Sequence, residues 1–232
     1  MDVITVRNVH KIYRESNAPI HALAGISLSI RPDEFVVVTG AEGSGKSALL
    51  YALAGLEPVT AGEIIVNGKR VDLMDEEELA VYRNRDIGFV FQSDSLIGSL
   101  SVIENTALPL LFTGVPKRIR HRMAAALLKT AGLENFSDYT AHRLTEWQKQ
   151  RVGIARAFIT DPSFILAVEP AGNLGSQNRY EILSLLARLS KTLRKPVIMI
   201  TDDIETTVCA DRVIQLKDGR LRNADTENRV NS

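Results

Sequence analysis

The chain has 232 residues, 45% hydrophobic and 24% charged, enough to bury the core of an ordinary globular protein of one or two domains. Lysine plus arginine and aspartate plus glutamate number 28 each, so no global field draws the chain to nucleic acid or to an acidic membrane, and any basic contact surface is local. One cysteine, Cys209, excludes an internal disulfide and a CxxC zinc site and suits a reducing compartment such as the cytoplasm.

The first residues lack a charged-then-apolar signal layout, and no apolar run approaches the ~18 to 20 residues that cross a bilayer. Segments 2–13 and 22–30 alternate apolar and polar residues, which predicts half-buried antiparallel strands. Residues 34-EFVVVTG-40 form a continuous apolar run of the kind buried on both faces of a parallel sheet. A helical run, 49-LLYALAGL-56, follows. In 62-GEIIVNGKRVDL-73, Asn67-Gly68 separates two strand-like runs, a hairpin signal because both residues accept positive φ.

From residue 93 to 150 no buried-strand pattern occurs, and stretches 102–112 and 117–133 have helical character. This predicts a helical subdomain inserted in an α/β core. The basic run Lys117, Arg118, Arg120 and Arg122 reads first as a solvated helix face, with a lipid or permease contact as the alternative. Beyond it, 164-FILAV-168 and 197-VIMIT-201 repeat the buried-strand pattern. Between them, 176–194 places Ile182, Leu186, Leu189 and Leu193 at helical spacing, a strand, helix, strand unit. Residues 223–232 are polar and are expected to form a loose tail.

The residues with the clearest chemistry are Gly40, Ala41, Glu42, Gly43, Ser44, Gly45, Lys46 and Ser47, which satisfy G-x-x-x-x-G-K-[ST] between a buried strand and a helix. Glycines let successive N–H groups converge on phosphate oxygens, and the helix N-terminus adds positive potential. Lys46 neutralises β/γ charge, and Ser47 offers a hydroxyl to Mg²⁺. The loop therefore predicts a site for the phosphates of a nucleoside triphosphate.

Loop and flanks resemble the ATP-binding-cassette ATPases that drive transporters, in the lipoprotein-release and macrolide-export branch. The resemblance is carried by 87-IGFVFQ-92, 104-ENTALPLLFTG-114, 150-QRVGIARAF-158, 164-FILAVEPAGNL-174 and the closing segment 211-DRVIQLKDGRL-221. It implies a P-loop NTPase (RecA-like) α/β core with an antiparallel β-subdomain and a helical subdomain. One ATP-binding domain would cover 1–222, with core at 1–92 and 151–222 and helices at 93–150. It also implies ATP and Mg²⁺ as ligands, with Tyr13 stacked on adenine, Ala48 near the α-phosphate, Gln92 on the metal with Ser47, and Glu169 as catalytic base. The implied partners are transmembrane permease subunits and a second cassette, as homodimer or heterodimer, at the cytoplasmic face of the membrane; nucleic acid is not among them.

Several positions depart from the family pattern. Val168 stands where the family has the aspartate of the metal shell, and 144-LTEWQ-148 replaces LSGGQ, with Glu146 and Trp147 at two glycine positions. Asp202 replaces the switch histidine and Gly175 the D-loop aspartate. Ala48 replaces a threonine, and Glu42 a small polar residue. In the family these positions surround the γ-phosphate where two cassettes clamp ATP. The expectation is an ATP-binding subunit with a weakened Mg²⁺ site and weak or absent hydrolysis; an active transport ATPase and a subunit that no longer binds nucleotide are the alternatives. Local chemistry offers simpler roles as well: Thr145 and Gln148 form a capping box, Asp202 is a helix N-cap, and Trp147 is a surface aromatic or a partner contact.

Overall fold

A computed structural model of the protein describes residues 2–14, 18–92 and 96–222. The expected tail 223–232 lies outside the described residues, as does the start of the expected helical segment.

A four-stranded antiparallel sheet has the order β2-β1-β4-β5, with β1 at Ile4–Arg14, β2 at Pro19–Ile30, β4 at Ala61–Val66 and β5 at Lys69–Arg70. The hairpin expected at Asn67-Gly68 joins β4 to β5. Both residues have positive φ, 48° and 79°, and Val66 pairs with Lys69.

The second sheet has six strands in the order β10-β9-β3-β8-β7-β6. β3 (Phe35–Thr39), β6 (Ile87–Val90), β7 (Phe164–Val168), β8 (Val197–Ile200) and β9 (Arg212–Lys217) pair in parallel, and β10 (Arg220–Arg222) closes the edge antiparallel to β9. The continuous apolar runs divide by the strand's period of two. Val36, Val38, Leu166, Ile198 and Ile200 enter one core, shared with the antiparallel sheet and helix α1 (Lys46–Leu53). Phe35, Val37, Ile165, Ala167, Val197 and Met199 enter the other, against α5 (Glu146–Phe158) and α6 (Ser176–Leu193). This two-sided burial is why those strands show no polar alternation.

Helix α2 (Glu76–Arg85) leads into β6 and is capped by Asp75 with Glu78. α3 (Val102–Phe112) and α4 (Lys117–Thr130) pack on each other and, through Ala107, Leu110 and Ala124, on Ile159. Buried Asn105 fixes the approach to α3: its carboxamide accepts from the N–H of Ile97 and donates to the carbonyls of Ile97 and Ser101. Lys117, Arg118 and Arg122 lie exposed along α4, while Arg120 donates to the carbonyl of Val115.

In α6 the inward face is Ile182, Leu183, Leu185, Leu186 and Leu189. Leu193, expected in that stripe, is 38% exposed where the helix ends at Arg194 in the left-handed conformation. Helix α5 runs from 146 to 158 across the expected boundary at 150, and it packs on β6, α3 and α6. Among the described residues no helix is long and apolar enough to cross a membrane.

Candidate functional site

The parallel strands β3, β6, β7 and β8 deliver their C-terminal residues to one edge of the sheet, the usual place for ligand binding in open α/β sheets. There the loop from Gly40 to Gly45 turns β3 into α1. At Gly45, with φ 106°, a Cβ would lie 2.3 Å from the Ala22 carbonyl oxygen; at Gly40 it would lie 2.3 Å from that of Leu216. Glycine is thus required by close backbone approach at both positions. Helix α1 starts on Gly45 without a side-chain cap and has no acidic residue in its first turn. Its leading N–H groups are left for an anion. Ser44 is buried, and its Oγ finds no protein partner.

Lys46 is buried under this loop. Its ammonium donates to the carbonyls of Gly40 at 2.6 Å and Ala41 at 2.8 Å, and pairs with Asp202 Oδ1 at 2.7 Å. Asp202 stands just past β8, and its backbone N–H donates to Glu169 Oε1 at 2.6 Å. The other oxygen of Glu169 accepts from the Thr201 hydroxyl at 3.0 Å. Glu169 itself has φ 44°, a left-handed conformation that costs a non-glycine residue about 1–2 kcal/mol. One hydrogen-bonded chain therefore links the carbonyls of the loop, Lys46, Asp202, Glu169 and Thr201.

The expectation that Asp202 caps a helix is corrected here. The residue that caps the short 3₁₀ helix Ile204–Cys209 is Asp203, whose carboxylate accepts from the N–H of Glu205 at 2.9 Å and pairs with Arg179 at 2.5 Å. Thr201 holds this register, because its Oγ1 accepts from the Asp203 N–H at 3.0 Å. With Asp203 committed to the helix, the side chain of Asp202 is the one that reaches the loop. Sequence reading missed Thr201; its place at the end of a buried strand, just before two aspartates, was the available signal.

Val168 packs against the core beneath the antiparallel sheet and brings no oxygen to the edge. Gln92 is exposed after β6, and its Nε2 donates to Asn173 Oδ1 at 3.1 Å, a partner that sequence reading did not single out. Ser47 and Glu42 are exposed, and Ala48 is buried in the first turn of α1. For the implied Mg²⁺ the chain thus offers neutral donors, the Ser47 hydroxyl and the Gln92 carboxamide. No group of three or more His, Cys, Asp or Glu that could hold a metal ion occurs among the described residues. Such a set fits Mg²⁺ only in company with nucleotide phosphates, which supply the anionic oxygens a hard dication requires.

Tyr13 is half-buried against the core. Its hydroxyl donates to Glu57 Oε2 at 2.7 Å, and Lys11 Nζ lies over the ring, 4.9 Å from its centroid. Burial, and then the Glu57 hydrogen bond, push the phenol up to about 12.

At the start of α5 the expected capping box is present: Gln148 N–H donates to Thr145 Oγ1, and Thr145 N–H donates to Gln148 Oε1. Glu146 points outward and pairs with Lys149 at 2.8 Å. Trp147 is half-buried against the second core, with the Arg151 guanidinium 4.0 Å over its ring. Arg151 is in turn held by Glu181 at 3.0 Å and the Ala131 carbonyl. Within this chain, then, the tryptophan is covered from inside. Gly175 starts α6 with no side-chain cap.

Comparison with known proteins agrees with this architecture. The family model described as ABC transporter matches residues 23–172. An uncharacterized ABC transporter ATP-binding protein of Thermotoga maritima is 39% identical over 94% of this chain and 93% of its own length. The lipoprotein-releasing system ATP-binding protein LolD of Pseudoalteromonas translucida is 34% identical over 94% of each. The macrolide export ATP-binding/permease protein MacB of Chlorobaculum tepidum is 41% identical over 94% of this chain, which spans about a third (33%) of that longer relative. Among solved structures, the dimeric ABC transporter cassette MJ0796 superposes with a TM-score of 0.84 at 37% identity, covering 95% of this chain and 97% of that one. The same cassette in a post-hydrolysis dimer with ADP and Pi gives 0.83 at 36%, with the same coverage. The chain belongs to the ABC transporter family, as an ATP-binding subunit related to LolD and to the cassette of MacB.

Proposed function

We propose that this subunit binds a nucleotide's phosphates at residues 40–47 and hydrolyses ATP weakly or not at all, serving a membrane transporter or related complex as scaffold or regulator. The observation that carries the proposal is the state of Glu169. Both its oxygens already accept hydrogen bonds, from Thr201 and from Asp202, while the neighbouring metal-shell position is the core-packed Val168. A general base must reach the water it activates, and a metal site must be anchored to orient that water. With Val168 in the metal-shell position nothing on β7 anchors such a metal, and Glu169, though each of its oxygens keeps a lone pair, is held by two protein donors. Ser47 and Gln92 would hold Mg²⁺ through a bound nucleotide, as a weakened site, with Tyr13 toward the base and Gly40 to Ala48 around the phosphates.

The partner reading follows from the family. Its cassettes pair so that the loop of one faces the signature of the other, and this signature carries Glu146 and Trp147. A homodimer would repeat every departure at both sites. A heterodimer with an intact cassette would still leave neither composite site complete. Transmembrane permease subunits are the third party, and the reading places the chain at the cytoplasmic face of the membrane. The permease partner is supported by the relatives whose single chain joins ATP-binding and permease parts.

Phosphate release from Mg-ATP, measured on the purified chain alone and with its permease and partner cassette, tests the proposal. The expected result is nucleotide binding that Lys46→Ala abolishes, with turnover near background. Robust turnover lost on Glu169→Gln would make the chain an active transport ATPase. Failure of labelled ATP to bind, in magnesium and in EDTA alike, would make it a structural subunit without nucleotide.

A further inference from the structure

A lysine ammonium has three protons to donate. On Lys46 all three are engaged, by the Gly40 carbonyl, the Ala41 carbonyl and Asp202 Oδ1. The two carbonyls belong to the loop's own backbone, so the aspartate is the partner that an incoming phosphate oxygen can replace. Its carboxylate reaches the ammonium from the solvent side: the Asp202 side chain is 63% exposed and that of Lys46 10%. Its backbone is held from both flanks. Thr201 N–H donates to the Val38 carbonyl at 3.2 Å, the Asp202 N–H bonds Glu169, and Asp203 is fixed by Arg179 and by the helix it caps. Strands β3 and β8 are neighbours in register, which sets the end of one beside the loop that leaves the other. The result is an internal anion presented to the loop's single cation, on a side chain free to rotate away.

We infer that Asp202 acts as a built-in stand-in for the terminal phosphate, making the site selective for a nucleoside diphosphate over a triphosphate. This rests on the reading that residues 40–47 bind nucleotide. A diphosphate lies along the loop amides and brings only its β-phosphate to Lys46 beside the carboxylate. A triphosphate brings one more anionic group to the same ammonium, and it must expel Asp202 or accept a like charge beside it. Since the carboxylate is tethered, it competes at a local concentration that no dilution lowers. A ligand shifts such a two-state contact only by its differential affinity for the open and closed forms, so the effect falls on the triphosphate.

Equilibrium binding of ADP and ATP to the full chain, each with magnesium and with EDTA, tests this in wild type, Asp202→Asn and Asp202→Ala. Asparagine keeps the shape and removes the charge; alanine removes the contact. Wild type is expected to bind ADP about tenfold more tightly than ATP. In both variants ATP affinity rises until the two nucleotides agree to within about twofold, while ADP affinity changes little. An unchanged ADP-to-ATP ratio in variants that bind both nucleotides would overturn the inference and leave the nucleotide-binding reading standing. A selective loss of Mg-ATP affinity, with ATP in EDTA unaffected, would overturn it by assigning Asp202 to the metal. Binding of neither nucleotide by folded wild type would overturn the binding reading, and the inference with it. Far-ultraviolet circular dichroism of each variant separates misfolding from these outcomes.

Discussion

Restoring the missing metal-shell carboxylate by Val168→Asp should not restore hydrolysis, and the structure sets what it costs. Val168 ends β7, paired in register with Ile200 and half-buried against the core. Removing its partly buried side chain forfeits about 1 kcal/mol of apolar burial. The new carboxylate stands next to Glu169. At a separation of about 5 Å and an effective dielectric near 20, two unit charges repel by about 3 kcal/mol, which partial exposure of both groups lowers to about 1. A net loss of about 2 kcal/mol lowers Tm by roughly 4–8 °C for a chain of this size. Mg-ATP should close part of that gap, because the dication neutralises the added charge. Turnover, followed as phosphate release beside a thermal melt with and without Mg-ATP, should stay within about twofold of wild type, since Lys46 remains paired with Asp202 and Glu169 remains bonded through both oxygens. A tenfold or greater rise in phosphate release from this one change would refute the reasoning.

Two further expectations concern the loop and the helical region. Gly45→Ala forces a side chain into a residue with φ 106° and a Cβ 2.3 Å from the Ala22 carbonyl oxygen, so it should cost about 1–3 kcal/mol in urea unfolding and abolish nucleotide binding; a variant that binds as wild type would refute the close-approach argument. Glu104 closes the capping box of α3, and the Ser101 N–H and then its hydroxyl hold the carboxyl below its usual 4.5. A depressed carboxyl contributes its stability above the unfolded pKa and loses it as pH falls through the folded one. Glu104→Ala should therefore destabilise by about 0.5–1 kcal/mol at pH 7 and converge on wild type in acid, as read from unfolding midpoints between about pH 7 and pH 3. A gap independent of pH would argue against the charged cap.

Much of the architecture was legible because the signals were local or periodic. The buried runs of β3, β7 and β8, the Asn67-Gly68 turn, the Thr145 and Gln148 capping box and the spacing of Gly40 to Ser47 each depend on residues a few positions apart, where period and backbone preference act directly. The absence of a carboxylate at Val168 and of glycines at Glu146 and Trp147 could also be read from the chain alone, since no fold supplies an atom the sequence lacks. Only the tertiary structure decided where the polar groups that remain are spent. Two adjacent aspartates, Asp202 and Asp203, look alike as helix caps in sequence. The hydrogen bonds of Thr201 and the Arg179 pair commit Asp203 to the cap and turn Asp202 to Lys46. Trp147, open to either a surface or a partner role in sequence, is covered by Arg151 because α4, α5 and α6 converge there, at Ala131 and Glu181. Such choices are made by charges and rings far apart in the chain, whose separation is set only when the sheet has brought the strand ends together.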